Sequence, residues 1–285
     1  MQRYRIERVL NNNVVIVNSE ESREEILVGK GIGFGHKSGD KIDFDQKAIE
    51  KRFTLALDEN KNQFNQLFAT VNEEVIGVAE EIIAIASKDL NCSMHEHIHV
   101  ALADHIGFAL TRLQGDLTIK NPFLEEIKLL YEKEWDVAHK AAILLEERFH
   151  VPIPDDEKGF LTLHIHSATH AKGLSETVRI TDAINMAVQA IEKAMKTKLS
   201  LHQLNYARLV AHLRYAIQRI LLNQSIENPL ADAVIEKLPE SYAIAVEAAK
   251  EISQRIRKRV PDGETSYLAM HIERLRGAIY GETIE

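Results

Sequence analysis

Four histidines stand at two equal intervals: His105 and His164 are 59 residues apart, and so are His212 and His271. A neutral imidazole can serve as base, nucleophile or metal ligand, so two identically spaced pairs pose a chemical question. An offset of 107 residues relates them, and it recurs elsewhere in the chain. Ser93, His95, Leu102, Ala109 and Arg112 reappear as Ser200, His202, Leu209, Ala216 and Arg219, and Asn121-Pro122 reappears as Asn228-Pro229. Pro154, Asp155, Glu157, Leu161 and Ile165 return as Pro261, Asp262, Glu264, Leu268 and Ile272, with no gap across the span. Self-similarity at a fixed offset marks a duplicated structural unit. A lone histidine on an apolar helix face is most often a packing residue. Two that persist in both copies, where most neighbours have changed, keep a site reading open beside that one. Ile98, Leu102, His105, Ala109 and Leu113 fall on one helix face, which predicts a partly buried His105. Phe160 and Tyr267 precede His164 and His271 by one helical turn.

Other chemistry-bearing patterns are weaker. Asp104-His105 brings to mind the helical metal-dependent phosphohydrolases of the HD type, but the order is reversed and the second copy has Ala211 in place of the aspartate. With no carboxylate evident beside the histidines in both copies, each repeat reads as a histidine-display module and not a hydrolytic centre. His95, His97 and His99 alternate, yet only His95 has a counterpart and no Cys or Glu completes a ligand set, so no metal and no cofactor is expected. His164-Ile165-His166 is similar, with His166 replaced by Glu273 in the other copy. Cys92 has no nucleophile signature around it and reads as an ordinary thiol. Gly29-Lys30-Gly31-Ile32-Gly33-Phe34-Gly35 lacks the Lys-Ser/Thr ending of a phosphate loop. Two readings of it stand level: a glycine-rich turn between strands, or a backbone able to approach an RNA groove, with Lys30 on phosphates and Phe34 free to stack.

The elements that must position these residues change character along the chain. Val14-Val15-Ile16-Val17 and Glu25-Ile26-Leu27-Val28, with turn-type clusters at Asn11-Asn12-Asn13 and Ser19-Glu20-Glu21-Ser22, predict short antiparallel strands near 3–9, 13–18, 24–29 and 41–44. About 55 residues make a marginal core alone, so a partner copy is expected to complete the sheet. Beyond residue 60 the period becomes helical: Phe64, Leu67, Phe68, Val71, Val75, Val78, Ile82 and Ala86 recur at three- and four-residue steps, as do Ile127, Leu130, Glu134, Val137 and Ala141. The fold class expected is β then α: a small antiparallel sheet domain followed by two homologous all-helical domains, joined near residue 172.

Charge follows the same division. The 285 residues carry a net charge of −8, which argues against a generally basic nucleic-acid binder. Residues 1–55 hold ten Lys and Arg against nine Asp and Glu, so the acidity lies on the helical body. That leaves RNA binding open for the first segment without requiring it. No apolar run is long enough to span a membrane. The first ten residues lack the apolar core of a signal peptide, and a single cysteine suits a reducing compartment. A cytoplasmic location is expected.

Asn11-Asn12-Asn13-Val14, Gly29-Lys30-Gly31-Ile32-Gly33-Phe34 and Lys37-Ser38-Gly39-Asp40 resemble the co-antiterminator RNA-binding domain of bacterial sugar-operon antiterminators. The repeated segments around His105, His164, His212 and His271 resemble that family's two regulation domains, targets of the sugar phosphotransferase system. The resemblance spans essentially the whole chain and implies domains at 1–58, 65–172 and 173–283. Segments 96–105, 120–124 and 163–168 lean toward the glucose-responsive members, while Lys37–Asp40 and His271–Arg274 look more like β-glucoside and sucrose members. The resemblance implies a homodimer, without enzymatic activity, whose RNA contacts are Arg8, Asn13, Gly29, Lys30, Gly31 and Phe34. These would hold a leader-RNA hairpin against formation of a terminator. Arg8 stands where relatives often have Lys, and Lys30 where some have Arg; each exchange keeps charge and changes hydrogen-bond geometry. His105 and His164 would be phosphorylated by a sugar-specific enzyme II through its EIIB domain, and His212 and His271 by the phosphocarrier protein HPr. A helical phosphohydrolase is one competing reading. The other is a phosphotransferase-regulated DNA-binding protein, for which residues 1–55 show no helix-turn-helix signal.

Overall fold

The computed structural model describes residues 2–19, 24–54, 58–169, 173–199, 204–224 and 226–280. The turn cluster at 20–22, the repeat partners Ser200 and His202, and the expected domain limits 1, 172 and 283 lie outside them. Among the described residues five strands form one antiparallel sheet: β1 (Gln2–Asn11), β2 (Val14–Ser19), β3 (Glu24–Val28), β4 (Lys41–Phe44) and β5 (Lys51–Thr54), in the order β4-β1-β2-β3-β5. The first four match the expected strands. The fifth is a correction: Lys51-Arg52-Phe53-Thr54 pairs with β3, Ile26 opposite Phe53. A four-residue edge strand with two basic residues leaves almost no alternation to read.

Strand alternation builds two apolar layers. Tyr4, Ile6, Val15, Val17 and Leu27 face one side and are closed over by Ile32 and Phe44. Leu10, Val14, Ile16, Ile26 and Val28 face the other and join a helical core containing Ile76, Val78, Ile82 and Ile83.

Eleven helices follow among the described residues: α1 (Asp58–Leu67), α2 (Glu73–Asp89), α3 (His97–Gln114), α4 (Leu124–Leu130), α5 (Glu132–Phe149), α6 (Asp155–Thr169), α7 (Leu174–Met195), α8 (Leu204–Leu221), α9 (Ala231–Lys237), α10 (Pro239–Ile256) and α11 (Asp262–Tyr280). The offset of 107 carries the limits of α3, α4 and α5 onto those of α8, α9 and α10 without slippage. It also carries left-handed Asp116 onto Asn223 and His150 onto Arg257, all with φ between 55° and 57°.

Two apolar runs that read as continuous helices are interrupted. The first breaks where Asn72, extended at φ −61° and ψ 139°, caps α2 by accepting from the Glu74 N–H. The second breaks at Tyr131, with φ −129° and ψ 45°, between α4 and α5. Its counterpart Leu238 has nearly the same dihedrals, φ −126° and ψ 48°, and is followed by Pro239. A residue before proline is pushed out of the helical region; the first copy keeps the break without the proline.

The chain divides into two compact units, one of 1–121 with 133–174, the other of 122–132 with 175–285. In the second unit, α4 is held by Tyr206, whose hydroxyl donates to Glu126 at 3.1 Å, and by Arg214, which donates to the Leu130 carbonyl at 3.0 Å. Among the described residues no helix is long and apolar enough to cross a membrane.

Candidate functional site

The β1–β2 turn and the glycine-rich loop after β3 meet through Asn13. Its carbonyl accepts from the Gly29 N–H at 2.9 Å, and its Oδ1 accepts from the Gly31 N–H at 3.0 Å. Gly29 is required by close approach, because a Cβ there would fall 2.0 Å from the Ala48 carbonyl oxygen. Gly31 takes a left-handed φ of 75°. Successive reverse turns then expose Lys30 and leave Phe34 72% exposed, a large ring offered to solvent. Asn13, Gly29 and Lys30 line an open groove of about 450 Å³ with Lys51, Lys88 and Glu81. Arg8 is not in that group: it lies on β1, its guanidinium 4.2 Å from the Phe68 ring centre and paired with Glu73 at 2.7 Å.

The histidines of each repeat come together in space. His105 on α3 and His164 on α6 stand with ring centres 4.8 Å apart. His212 on α8 and His271 on α11 stand 4.3 Å apart. Burial lowers His164 and His212 to a pKa of about 3, helped by the neighbouring His105 and His271. These two are therefore neutral near pH 7, with a lone pair available. Burial also lowers His271, with Arg274 and Arg208 adding to it.

A carboxylate does stand beside the first pair, which corrects the expectation of none. Glu157, 2% exposed, pairs with Arg112 through one oxygen and approaches His105 Nε2 to 3.5 Å with the other. Burial alone would raise its pKa, but the His105 and Arg112 partners win and hold it below the ordinary value. In the second copy Glu264 accepts from Arg219 twice, at 2.8 and 2.6 Å. Both carboxylates were visible in the repeat. What hid them is that α3 and α6 bring together residues more than 50 positions apart.

The remaining candidates are not members of the ring-to-ring pairs. Asp104 is exposed. His95 and His97 contact each other at 2.8 Å between Nδ1 atoms. His99, 2% exposed, instead pairs with the fully buried Glu80 at 2.8 Å. Among the described residues no three His, Cys, Asp or Glu are arranged to hold a metal ion. Burial, then Glu134, pushes the Cys92 thiol above its ordinary pKa, the opposite of an activated thiolate.

Comparison with known proteins gives the two modules their names. Residues 4–62 match the CAT RNA binding domain, and residues 80–168 and 185–275 each match the PRD domain. The chain belongs to the CAT–PRD family of transcription antiterminators. It is 34% identical over 275 residues to transcription antiterminator LicT of Bacillus subtilis, covering 95% of this chain and 98% of that one. The PtsGHI operon antiterminator of the same organism is 35% identical over 278 residues, covering 97% and 98%. A crystal structure of GlcT CAT-PRDI aligns with a TM-score of 0.50 and 39% identity, covering 59% of this chain and 98% of that chain. This antiterminator thus carries its RNA-binding module on the sheet and its histidine pairs within the PRD matches.

Proposed function

We propose that this antiterminator holds a leader-RNA hairpin through Arg8, Asn13, Gly29, Lys30, Gly31 and Phe34, and so keeps an overlapping terminator from forming upstream of sugar-transport genes. The division is 1–58 for RNA binding and 65–172 and 173–283 for regulation, in a cytoplasmic homodimer without enzymatic activity. The four histidines accept phosphoryl groups: His105 and His164 from the EIIB domain of a sugar-specific enzyme II, His212 and His271 from HPr. Glucose is the inducing sugar we favour, supported by 39% identity to the GlcT CAT-PRDI structure. In each transfer an imidazole nitrogen attacks phosphorus, the donor's bond to phosphorus breaks, and the electron pair stays with the donor. Each phosphoryl group brings about −1.5 to −2 charge at neutral pH, set among acidic helices.

The observation that carries this reading is the recurrence of two ring-to-ring histidines in both helical repeats, 4.8 and 4.3 Å apart, behind an RNA-binding domain. The test is a binding assay between the full-length protein and a leader transcript, with and without the phosphorylated donors. His105→Asp and His164→Asp are expected to mimic the silenced state and abolish antitermination in the presence of sugar. Full antitermination by both variants would refute the regulatory assignment.

A further inference from the structure

Helix α2 presents Glu73, Gly77 and Glu81 at successive turns of one face, a spacing of four residues each time. That face lies on the β1–β2 end of the sheet. Glu81 accepts from the Asn13 side-chain amide at 2.9 Å and from the Asn11 amide at 2.8 Å. Asn11 Oδ1 in turn accepts from the Asn13 N–H at 2.8 Å, which fixes the turn for both contacts. Glu73 takes Arg8 at 2.7 Å. Gly77 permits the approach, since a Cβ there would sit 2.6 Å from Asn11 Nδ2. The Glu81 side chain is only 12% exposed, and Arg148 of α5 stands 3.6 Å behind it. Glu73 and Arg8 are each about half exposed, so Glu81 is the stronger anchor.

The donors so occupied are the kind that RNA needs. An asparagine amide and an arginine guanidinium give their protons to phosphate, ribose or base oxygens. Here two carboxylates accept them instead. We infer that α2 is an intramolecular competitor of RNA: Glu73 and Glu81 hold Arg8 and Asn13, and the hairpin gains those side chains only as α2 releases them. This rests on the assignment of Arg8 and Asn13 as RNA contacts. A neighbouring side of the same helix, about 100° round the axis, faces the regulatory machinery. Glu80, next in sequence to Glu81, is locked to His99 of α3, the helix that carries His105. Neighbouring residues of α2 thereby connect the histidine helix to the RNA face.

The test uses the full-length protein and a leader transcript containing a hairpin with internal loops, with affinity and melting temperature measured on each variant. Glu73→Ala/Glu81→Ala is expected to bind the transcript about tenfold more tightly while melting at a lower temperature, because the two carboxylates stabilise only the closed form. A merely structural role would move both readings downward. Glu81→Gln keeps the volume and removes the charge; a smaller gain in affinity is expected, and this variant decides the matter if the double variant does not melt cooperatively. Unchanged or weaker binding by folded Glu81 variants overturns the inference. Arg8→Ala and Asn13→Ala separate the two claims. If they lose binding while the glutamate variants gain none, only the competition by α2 falls. If they bind as the parent does, the assignment of Arg8 and Asn13 to RNA and the inference fall together.

Discussion

The two helical repeats place the same four residues, two His, an Arg and a Glu, at matching positions and use them differently. In the first, Glu157 divides itself between Arg112 and His105. In the second, Arg219 engages both oxygens of Glu264, while His105 Nε2 and His212 Nε2 are alike in being buried without a hydrogen-bond partner. The deeper histidine also changes helix: His164 on α6 is the buried member of the first pair, whereas in the second it is His212 on α8 that is pushed down to a pKa of about 3. Part of the cause is local. His97 lies near enough to His164 to lower its pKa further, and the residue at the matching position of the second repeat is Leu204. Duplication has preserved a constellation and left its internal hydrogen bonding free to diverge, which gives two similar sites different electrostatic settings.

Removing the carboxylates breaks that comparison most sharply. Deleting one member of a buried ion pair strands the other charge. Arg112 has a side chain 10% exposed, against 27% for Arg219. Water can therefore rescue the second guanidinium better than the first. Glu157→Ala is expected to cost about 3–4 kcal/mol and Glu264→Ala about 2 kcal/mol, read from urea unfolding at neutral pH. Equal costs would show that the difference in exposure between the two guanidinium groups has no energetic weight.

Acid sharpens the comparison next. The folded protein keeps His164 and His212 neutral down to about pH 3, whereas an unfolded histidine takes its proton near the ordinary 6.5. Below 6.5 the unfolded chain binds more protons, so the stability these groups carry is complete above that pH and falls away as pH drops toward 3. The slope is at most about 1.4 kcal/mol per pH unit for each histidine. His164→Gln and His212→Gln should each flatten the profile between pH 6.5 and 5 by a similar amount. Flattening by one variant alone would show that only one repeat holds a neutral buried histidine.

How much of this was legible in the residues differs by region. The offset of 107 brings out the duplication and singles out four histidines, and in the structure it also relates helix limits and two pairs of left-handed residues, because it compares the chain with itself. The β-branched and aliphatic runs of β2 and β3 were equally plain, because both faces of those strands are buried. Three things stayed hidden. The edge strand β5 is too short to show a period. The Glu157–His105 contact joins positions 52 apart through helix packing. The grip of Glu81 on Asn11 and Asn13 spans about 70 residues, and a charged residue on a helix reads from sequence as a solvated face.

The smallest effect concerns a contact that kept its place and changed its chemistry. His166 meets Glu134 at 2.8 Å in the first repeat, and the residues 107 further on, Glu273 and Ser241, meet at 2.5 Å in the second. An imidazole facing a carboxylate has become a carboxylate facing a hydroxyl. Both first-repeat side chains are largely buried, at 10% and 14% exposure. Neither single change suits the partner it leaves: His166→Glu sets two carboxylates together, and Glu134→Ser leaves the imidazole a weaker acceptor. The double change transplants the second repeat's pair. Its cost is expected to fall below the sum of the single costs by about 1 kcal/mol, measured as a double-mutant cycle by urea unfolding at pH 7. Additive costs would mean that the two pairs are not interchangeable, and that packing around α5 and α6 has diverged more than the shared helix limits suggest.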